Sequence, residues 1–212
     1  CIRDRMETTG LEFALGLNPT SLVDLGGLDW NMHMTYYTNE SEVTKLTVDP
    51  YNYGGFATFL GTYRIEEGVS PTAIVGADYD ADGNHIELGN ENPDFRLSFR
   101  NSLSFGPLSL SFLIDHKEGG HAINLANLIY DLGATTADYE ENGSRTAVLG
   151  GGSTAPYVES TTYTALRDLS LTYSLPAGLT EGYGLSNVQL GLALRNWWMA
   201  SDYTGLSPEV SQ

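Results

Sequence analysis

The sequence predicts an all-β fold, an antiparallel transmembrane β-barrel segment of about six strands with long extracellular loops. Three observations point there. Long runs alternate between apolar and polar residues, the runs fall into three pairs with short or moderate connections, and long polar stretches at roughly 40–91 and 118–160 separate the pairs. Alternation with period two sends successive side chains to opposite faces of a strand.

The first pair opens with Leu11, Phe13, Leu15 and Leu17 alternating with Glu12, Ala14 and Gly16, until Asn18-Pro19 breaks the run. It returns with Leu28, Trp30, Met32, Met34 and Tyr36 on one face and Asp29, Asn31, His33 and Thr35 on the other. The second pair is the clearest. Phe95, Leu97, Phe99, Leu103 and Phe105 share a face that only Asn101 interrupts, with Asp94, Arg96, Ser98, Arg100, Ser102 and Ser104 opposite. After a tight Gly106-Pro107 turn, Leu108, Leu110, Phe112 and Ile114 alternate with Ser109, Ser111, Asp115 and Lys117. In the third pair, Leu169, Leu171, Tyr173 and Leu175 alternate with Asp168, Ser170, Thr172 and Ser174, and Pro176 ends the strand. The chain returns with Val188, Leu190, Leu192, Leu194 and Trp198 against Gln189, Gly191, Ala193, Arg195 and Trp197.

A soluble β-sandwich, read as a secreted glycan-binding module, also alternates, and a passive porin-type barrel is the other alternative. Two structureless connections of this length are rare in a compact domain, whereas outer-membrane barrels combine short periplasmic turns with long extracellular loops. The runs also exceed the five or six residues of an average strand. Aromatics fall near the ends of the apolar faces, as interfacial girdles require: Trp30, Phe105 and Tyr173 near the short turns, and Tyr36, Tyr163 and Trp198 near the long loops. Tyr163 and Tyr173, ten residues apart and read as sharing a face, would span about 25 Å at a tilt of ~40°. Six strands fall short of the eight with which membrane barrels begin, and the chain ends on the polar segment 207–212, so it is expected to be one part of a larger wall.

Composition agrees. Gly (24) and Tyr (13) are abundant and charged residues few (17%), as suits a β protein with many turns. A formal charge of −17 argues against nucleic acid as a partner and is read as solvated loops. The single cysteine, Cys1, excludes an internal disulfide and is read as marking where a fragment begins rather than an acylated terminus. No apolar run approaches the ~20 residues of a membrane helix, which says nothing against spanning strands.

Several segments carry a resemblance. Leu166-Arg167-Asp168-Leu169-Ser170-Leu171-Thr172-Tyr173-Ser174-Leu175-Pro176 resembles the "LR-(D/E)-(L/V)-SLSY-x-LP" signature of SusC/RagA-type TonB-dependent transporters. Arg195-Asn196 followed by Asp202-Tyr203-Thr204-Gly205-Leu206-Ser207-Pro208-Glu209-Val210 resembles that family's "GRNL…(T/S)-DYxGxDPEV" segment. Gly10-Leu11-Glu12 matches a "GxE" strand start, Glu67-Gly68-Val69-Ser70-Pro71 is similar to "EGxP", and Gly89-Asn90-Glu91-Asn92-Pro93-Asp94-Phe95 resembles "GNPNPDF". The matches run in the family's order along almost the whole chain. Ser207 stands where Asp is usual, and Trp197-Trp198 replace a small apolar pair.

The resemblance implies that residues 1–212 are part of the barrel domain of a 22-stranded, plug-filled outer-membrane barrel, without plug or closing strands. It implies import of oligosaccharides or peptides, energy from the TonB complex through an N-terminal region that this chain lacks, and a SusD-like surface lipoprotein as partner. Outer-membrane lipid would surround the wall.

Two groups of residues are candidates for binding. Asp78-Tyr79-Asp80-Ala81-Asp82-Gly83-Asn84 has the spacing of a calcium loop, in which alternate oxygens converge on the ion. Position twelve of loop 78–89 is Gly89 rather than a bidentate carboxylate, so an acidic surface turn is the competing reading for Asp78, Asp80 and Asp82. Arg195 and Trp197 share the polar face near the outer end of the last strand, where an aromatic ring could stack on a sugar and a guanidinium could anchor a polar substrate. Packing against a plug, or an interior salt bridge, is the alternative. No catalytic constellation emerges: His33, His85, His116 and His121 lack metal-ligand spacing, and no nucleophile-elbow pattern occurs. The expectation is a non-enzyme with no other cofactor.

Overall fold

The computed structural model describes residues 4–55, 57–141 and 143–209. The readings placed on Cys1 and on residues 210–212 lie outside the described residues. Along the chain come β1 (Arg5–Leu17), β2 (Leu28–Lys45), β3 (Tyr51–Tyr53), β4 (Thr62–Ile65), β5 (Ala73–Tyr79), β6 (His85–Asn90), β7 (Pro93–Phe105) and β8 (Leu108–Gly119). There follow β9 (His121–Ile123), α1 (Leu125–Leu132), α2 (Ala137–Glu140), α3 (Ser144–Gly150), β10 (Val158–Ser160), β11 (Tyr163–Ser174), α4 (Ala177–Thr180) and β12 (Gln189–Ala200).

The six long strands form one antiparallel sheet in the order β1-β2-β7-β8-β11-β12, each of the three predicted pairs being a hairpin. Its turns lie together at one end. Asn18 accepts from the Ser21 amide and Pro19 opens a short 3-10 turn after β1. Gly106, at a φ of 55°, takes the left-handed conformation that the tight turn between β7 and β8 needs.

Register aligns the apolar positions into rows crossing all six strands. One row is Leu15, Met34, Phe99, Ile114, Leu166 and Trp198, and the next is Leu17, Met32, Asn101, Phe112, Leu169 and Leu194. The opposite face is polar, with hydroxyl ladders such as Thr35–Ser98 at 2.5 Å and Ser111–Ser170 at 2.8 Å. Among the described residues no second sheet covers the apolar face, where Leu11, Phe13, Phe105 and Leu190 all lie exposed. A sandwich would bury this face. β1 and β12 each pair on one side only, so both edges present unpaired backbone groups.

Asn101 is the polar interruption in the apolar face. Its Oδ1 accepts from the Trp30 indole at 3.0 Å, which turns two polar groups inward on each other beneath the ring. Phe95 stacks on Tyr36 (5.5 Å between centroids) and meets His116 at 5.7 Å, marking the upper edge of the band. Phe105, ten residues on, marks the lower edge, about 25 Å away at a tilt of ~40°.

Tyr163 does not belong to that girdle. A bulge between Leu166 and Asp168 adds one residue to β11, so Leu166 and Leu169 share the apolar face although they are three apart. Parity is thereby reversed upstream. Tyr163 faces the polar side opposite Lys117 and is buried, while Tyr173 stays on the apolar side.

The two long stretches are not structureless, as the alternation alone suggested. The first folds into a four-stranded sheet in the order β3-β4-β5-β6, and the second carries β9, three short helices and β10. They pack on each other into a lobe around Ile74, Val75, Leu128 and Tyr157. Short strands with weak periodicity between glycines and prolines hide from a search for alternation, and here contacts between the two loops stabilise them. Gly76 lies directly beneath the Thr154 side chain, whose Oγ1 bonds the Phe59 carbonyl and the Ala77 amide, both at 3.0 Å.

A Cβ at Gly76 would therefore collide with Thr154. Gly76→Ala is expected to cost about 1–3 kcal/mol in the lobe and to speed proteolysis within 120–162. Gly178→Ala, where a Cβ meets open space, should leave the digest unchanged.

Candidate functional site

The polar face of the sheet, where it meets the lobe, carries a group of paired charged side chains. Arg167 is the bulged residue of β11, and the bulge turns its guanidinium toward that face. Its Nη2 and Nε donate to Asp115 Oδ2 at 2.8 and 3.1 Å, and it grips Glu209 through both Nη1 (3.1 Å to Oε2) and Nη2. Its guanidinium lies 5.2 Å from the Tyr163 ring centroid, and Tyr163 Oη donates to Asp115 at 2.9 Å. Lys117, buried opposite Tyr163, donates to Thr161 Oγ1 at 2.7 Å and to the Pro208 carbonyl at 3.2 Å. A forked guanidinium shared between two carboxylates is among the stronger polar arrangements a protein can make.

This knot fastens the segment 201–209, which leaves β12 and folds back beneath the lobe. Ser201 donates to the Thr162 carbonyl at 2.7 Å, and the Thr204 amide donates to Glu159 Oε2 at 2.7 Å. Asn124 and Asn127 donate to Thr204 Oγ1 at 3.1 and 2.8 Å. Tyr203 is buried within the fold-back. Arg167 and Glu209 come from two separate signature segments, and the structure joins them. Neither had been singled out as a site residue, since nothing in their spacing announces a contact 42 positions apart.

Arg195 lies opposite Asp168 in the β11–β12 register, with Nε 3.8 Å from Oδ1 and the guanidinium largely exposed. Trp197 follows Asn196, which sits at a φ of 46° where β12 adds its own extra residue against β11. Trp197 is exposed, and among the described residues its ring makes no cation–π pair with Arg195. The two are neighbours on the wall, not a preformed pocket.

The acidic turn between β5 and β6 separates the three candidate calcium ligands. Asp78 caps the other long loop: it accepts from the Thr154 amide at 2.8 Å and from the Ser153 hydroxyl. Asp80 organises its own turn, accepting from the amides of Asp82 and Asn84 at 2.9 Å each and from Asn84 Nδ2 at 3.1 Å. Those Asn84 donors hold its carboxyl below the ordinary range. Asp82 is exposed, and among the described residues no three His, Cys, Asp or Glu side chains gather as a metal cluster. As placed, the set does not fit the six to eight converging oxygens that calcium takes.

Within the lobe, Asp131 is fully buried. Arg145 donates to it through Nε (2.6 Å) and Nη2 (3.1 Å), Tyr157 Oη donates at 2.7 Å, and Thr136 Oγ1 completes the set. The Arg145 bonds, against the cost of burial, pull its carboxyl from 3.8 to about 2.

No family model matches the chain. It is 28% identical over 177 residues to the TonB-dependent receptor P3 of Formosa agariphila, which covers 76% of this chain and 18% of that protein. It is 27% identical over 230 aligned positions to the TonB-dependent receptor P26 of the same organism, covering 93% of this chain and 23% of that protein. The chain thus spans about a fifth of these curated relatives. The structure of the RagAB peptide transporter superposes with a TM-score of 0.68 at 19% identity over 96% of this chain and 26% of that one. The 'open-open' state of the RagAB peptide importer gives 0.61 at 21% identity over 97% of this chain and 26% of that one. The likeness to the receptors agrees with the signature segments, and the solved structures show the same fold.

Because the folded pKa of Asp131 lies below its ordinary value, its contribution is complete above about pH 4 and is lost as pH falls toward about 2. Amide exchange across 125–157 should accelerate over that window. Asp131→Asn, which leaves Arg145 half-buried and unpaired, should cost on the order of 3 kcal/mol and flatten the acid response. Arg167→Ala should release 201–209 to protease, and unchanged cleavage there would contradict the fastening described.

Proposed function

We propose that this chain, whose resemblance to SusC/RagA-type TonB-dependent transporters holds in sequence and in fold, is a section of the wall of an outer-membrane importer. The carrying observation is the continuous sheet with one uncovered apolar face and one polar face, capped at a single end by a folded lobe. In hydrocarbon every backbone polar group must find a partner within the protein, so an open six-stranded sheet requires further strands at β1 and β12 until the barrel closes. A 22-stranded barrel is the closure that the family resemblance supports. The apolar face then meets lipid, the polar face lines the lumen, the turns near Pro19, Pro107 and Pro176 face the periplasm, and the lobe faces outside.

In this reading the chain is one part of the barrel domain, and the plug and the TonB-contacting region belong to other parts of the protein. The cargo is an oligosaccharide or peptide, a SusD-like lipoprotein sits on the outer side, and the wall performs no catalysis. Arg195 and Trp197, at the outer end of the lumen face, are candidates to touch the cargo, and a Ca2+ at Asp78, Asp80 and Asp82 would require the turn to rearrange.

The test is the full-length protein in outer-membrane vesicles. Phe99→Arg, at mid-height of the apolar face, should cost about 2–4 kcal/mol in urea unfolding, while Ser102→Arg on the polar face should cost far less. Uptake of a labelled peptide or oligosaccharide mixture should disappear when TonB is deleted. A soluble, folded, monomeric product, or equal effects of the two substitutions, would sink the barrel reading.

A further inference from the structure

The chain holds 10 Lys and Arg against 27 Asp and Glu, so a cation without a carboxylate partner is conspicuous. Arg5, Arg64, Arg145, Arg167 and Arg195 each lie within 4.0 Å of a carboxylate. Among the described residues Arg96 and Arg100 are the arginines with none, and they stand on the same polar face of one strand, β7. Both are exposed, and four residues of strand separate them by ~13 Å.

Their surroundings do not supply the missing charge. Arg100 has His33 and Leu113 as its cross-strand neighbours, with Gly16 beyond His33 and the small Ser98 and Ser102 above and below. Arg96 has Tyr37 on one side and Lys117, a second cation, on the other. Of the polar-face carboxylates around them, Asp115 is engaged by Arg167 and Tyr163 and Asp168 by Arg195, while Asp94, two residues from Arg96, lies with its carboxylate against Gly119 and makes no ion pair with the arginine. Glu12 lies two strands from Arg96, at ~10 Å. Glu91 and Glu209 border the same small cavity as Arg96 and Lys117, about 130 Å³, without reaching the arginine. The result is a column of two forked donors with only the small Ser98 between them on that face of the strand, open toward the lumen side.

We propose that Arg96 and Arg100 form an oxyanion-binding stair on the lumen face, taking carboxylate groups carried by the solute that crosses the barrel. The proposal rests on the transport reading above. A guanidinium holds a carboxylate through two parallel bonds. Arg96 lies nearer the lobe and Arg100 nearer mid-height, so an acidic chain entering from outside meets them in succession. The same carboxylate chemistry on a peptide or on an acidic sugar would suit the stair.

The test uses the full-length protein, purified in detergent and also reconstituted in energised vesicles. Four fluorescent probes serve: a Gly/Glu octapeptide, its Gly/Gln counterpart, a galacturonate oligomer and its methyl ester. The wild type should bind at least one acidic probe more tightly than its neutral partner, and that preference should shrink in high salt. The double variant Arg96→Gln/Arg100→Gln should lose about tenfold or more on the acidic probe, with the neutral probe unchanged and the melting temperature retained. Arg100→Lys should recover part of the loss. Which acidic probe responds identifies the carrier of the carboxylate. Equal binding of acidic and neutral probes by the wild type would overturn the stair while leaving transport intact. A lowered melting temperature with the acidic preference unchanged would overturn it too, by assigning the arginines to another part of the barrel interior. Absence of energy-dependent import for all four probes in the wild type would instead tell against the transport reading.

Discussion

Everything in this sheet depends on one constraint: the backbone of each long strand is satisfied mainly sideways, by the strands beside it, which leaves only the outer sides of β1 and β12 unpaired. The strand then has two faces and no freedom to rotate them, because a slip by one residue exchanges every side chain between the apolar and polar sides. Rows such as Leu15, Met34, Phe99, Ile114, Leu166 and Trp198 follow from that lock. Asn101 is the exception on the apolar face: its Oδ1 accepts from the Trp30 indole, while its buried Nδ2 has no hydrogen-bond partner among the described residues.

The bulges in β11 and β12 are where the constraint is relaxed, and they are also where charge collects. An inserted residue restarts the parity of its strand, and at Arg167 it lets a long cationic side chain join the polar face between two ordinary positions. Asp115, Tyr163 and Glu209 close around it. Without that inserted residue Tyr163 would point to the apolar side and Lys117 would lose the ring that it lies against at 5.6 Å.

The alternation from Leu11 to Trp198 made the six strands and their pairing legible, because a half-apolar sheet writes its pattern into every second residue. The bulge was not legible. Counting ten residues back from Tyr173 puts Tyr163 on the apolar face, and the extra residue between Leu166 and Asp168 reverses that parity. The lobe was hidden for a different reason: its strands have three to seven residues, too few to show a period. Asp78 shows the limit most sharply. Spacing grouped it with Asp80 and Asp82, but its partners are Ser153 and Thr154, some 75 positions away, and no local pattern reports such a contact. The signature segments carried information of another kind, since two of them supplied the ends of the Arg167–Glu209 pair without revealing that they meet.

The fold-back 201–209 connects these layers mechanically. Glu209 and Pro208 hold the polar face of the wall through Arg167 and Lys117, while Thr204 is held by Glu159, Asn124 and Asn127 from the lobe. The same nine residues therefore bond both the rigid ladder and the loops above it. A shift of the lobe relative to the wall must break one of the two sets. The wall-side set combines an exposed forked ion pair with a buried ammonium, and the lobe-side set is made of exposed and half-buried bonds to Thr204. Both sets include bonds to a carboxylate, Glu209 on the wall side and Glu159 on the lobe side, so 201–209 is tied to the ladder and to the lobe by the same kind of charge-assisted bond.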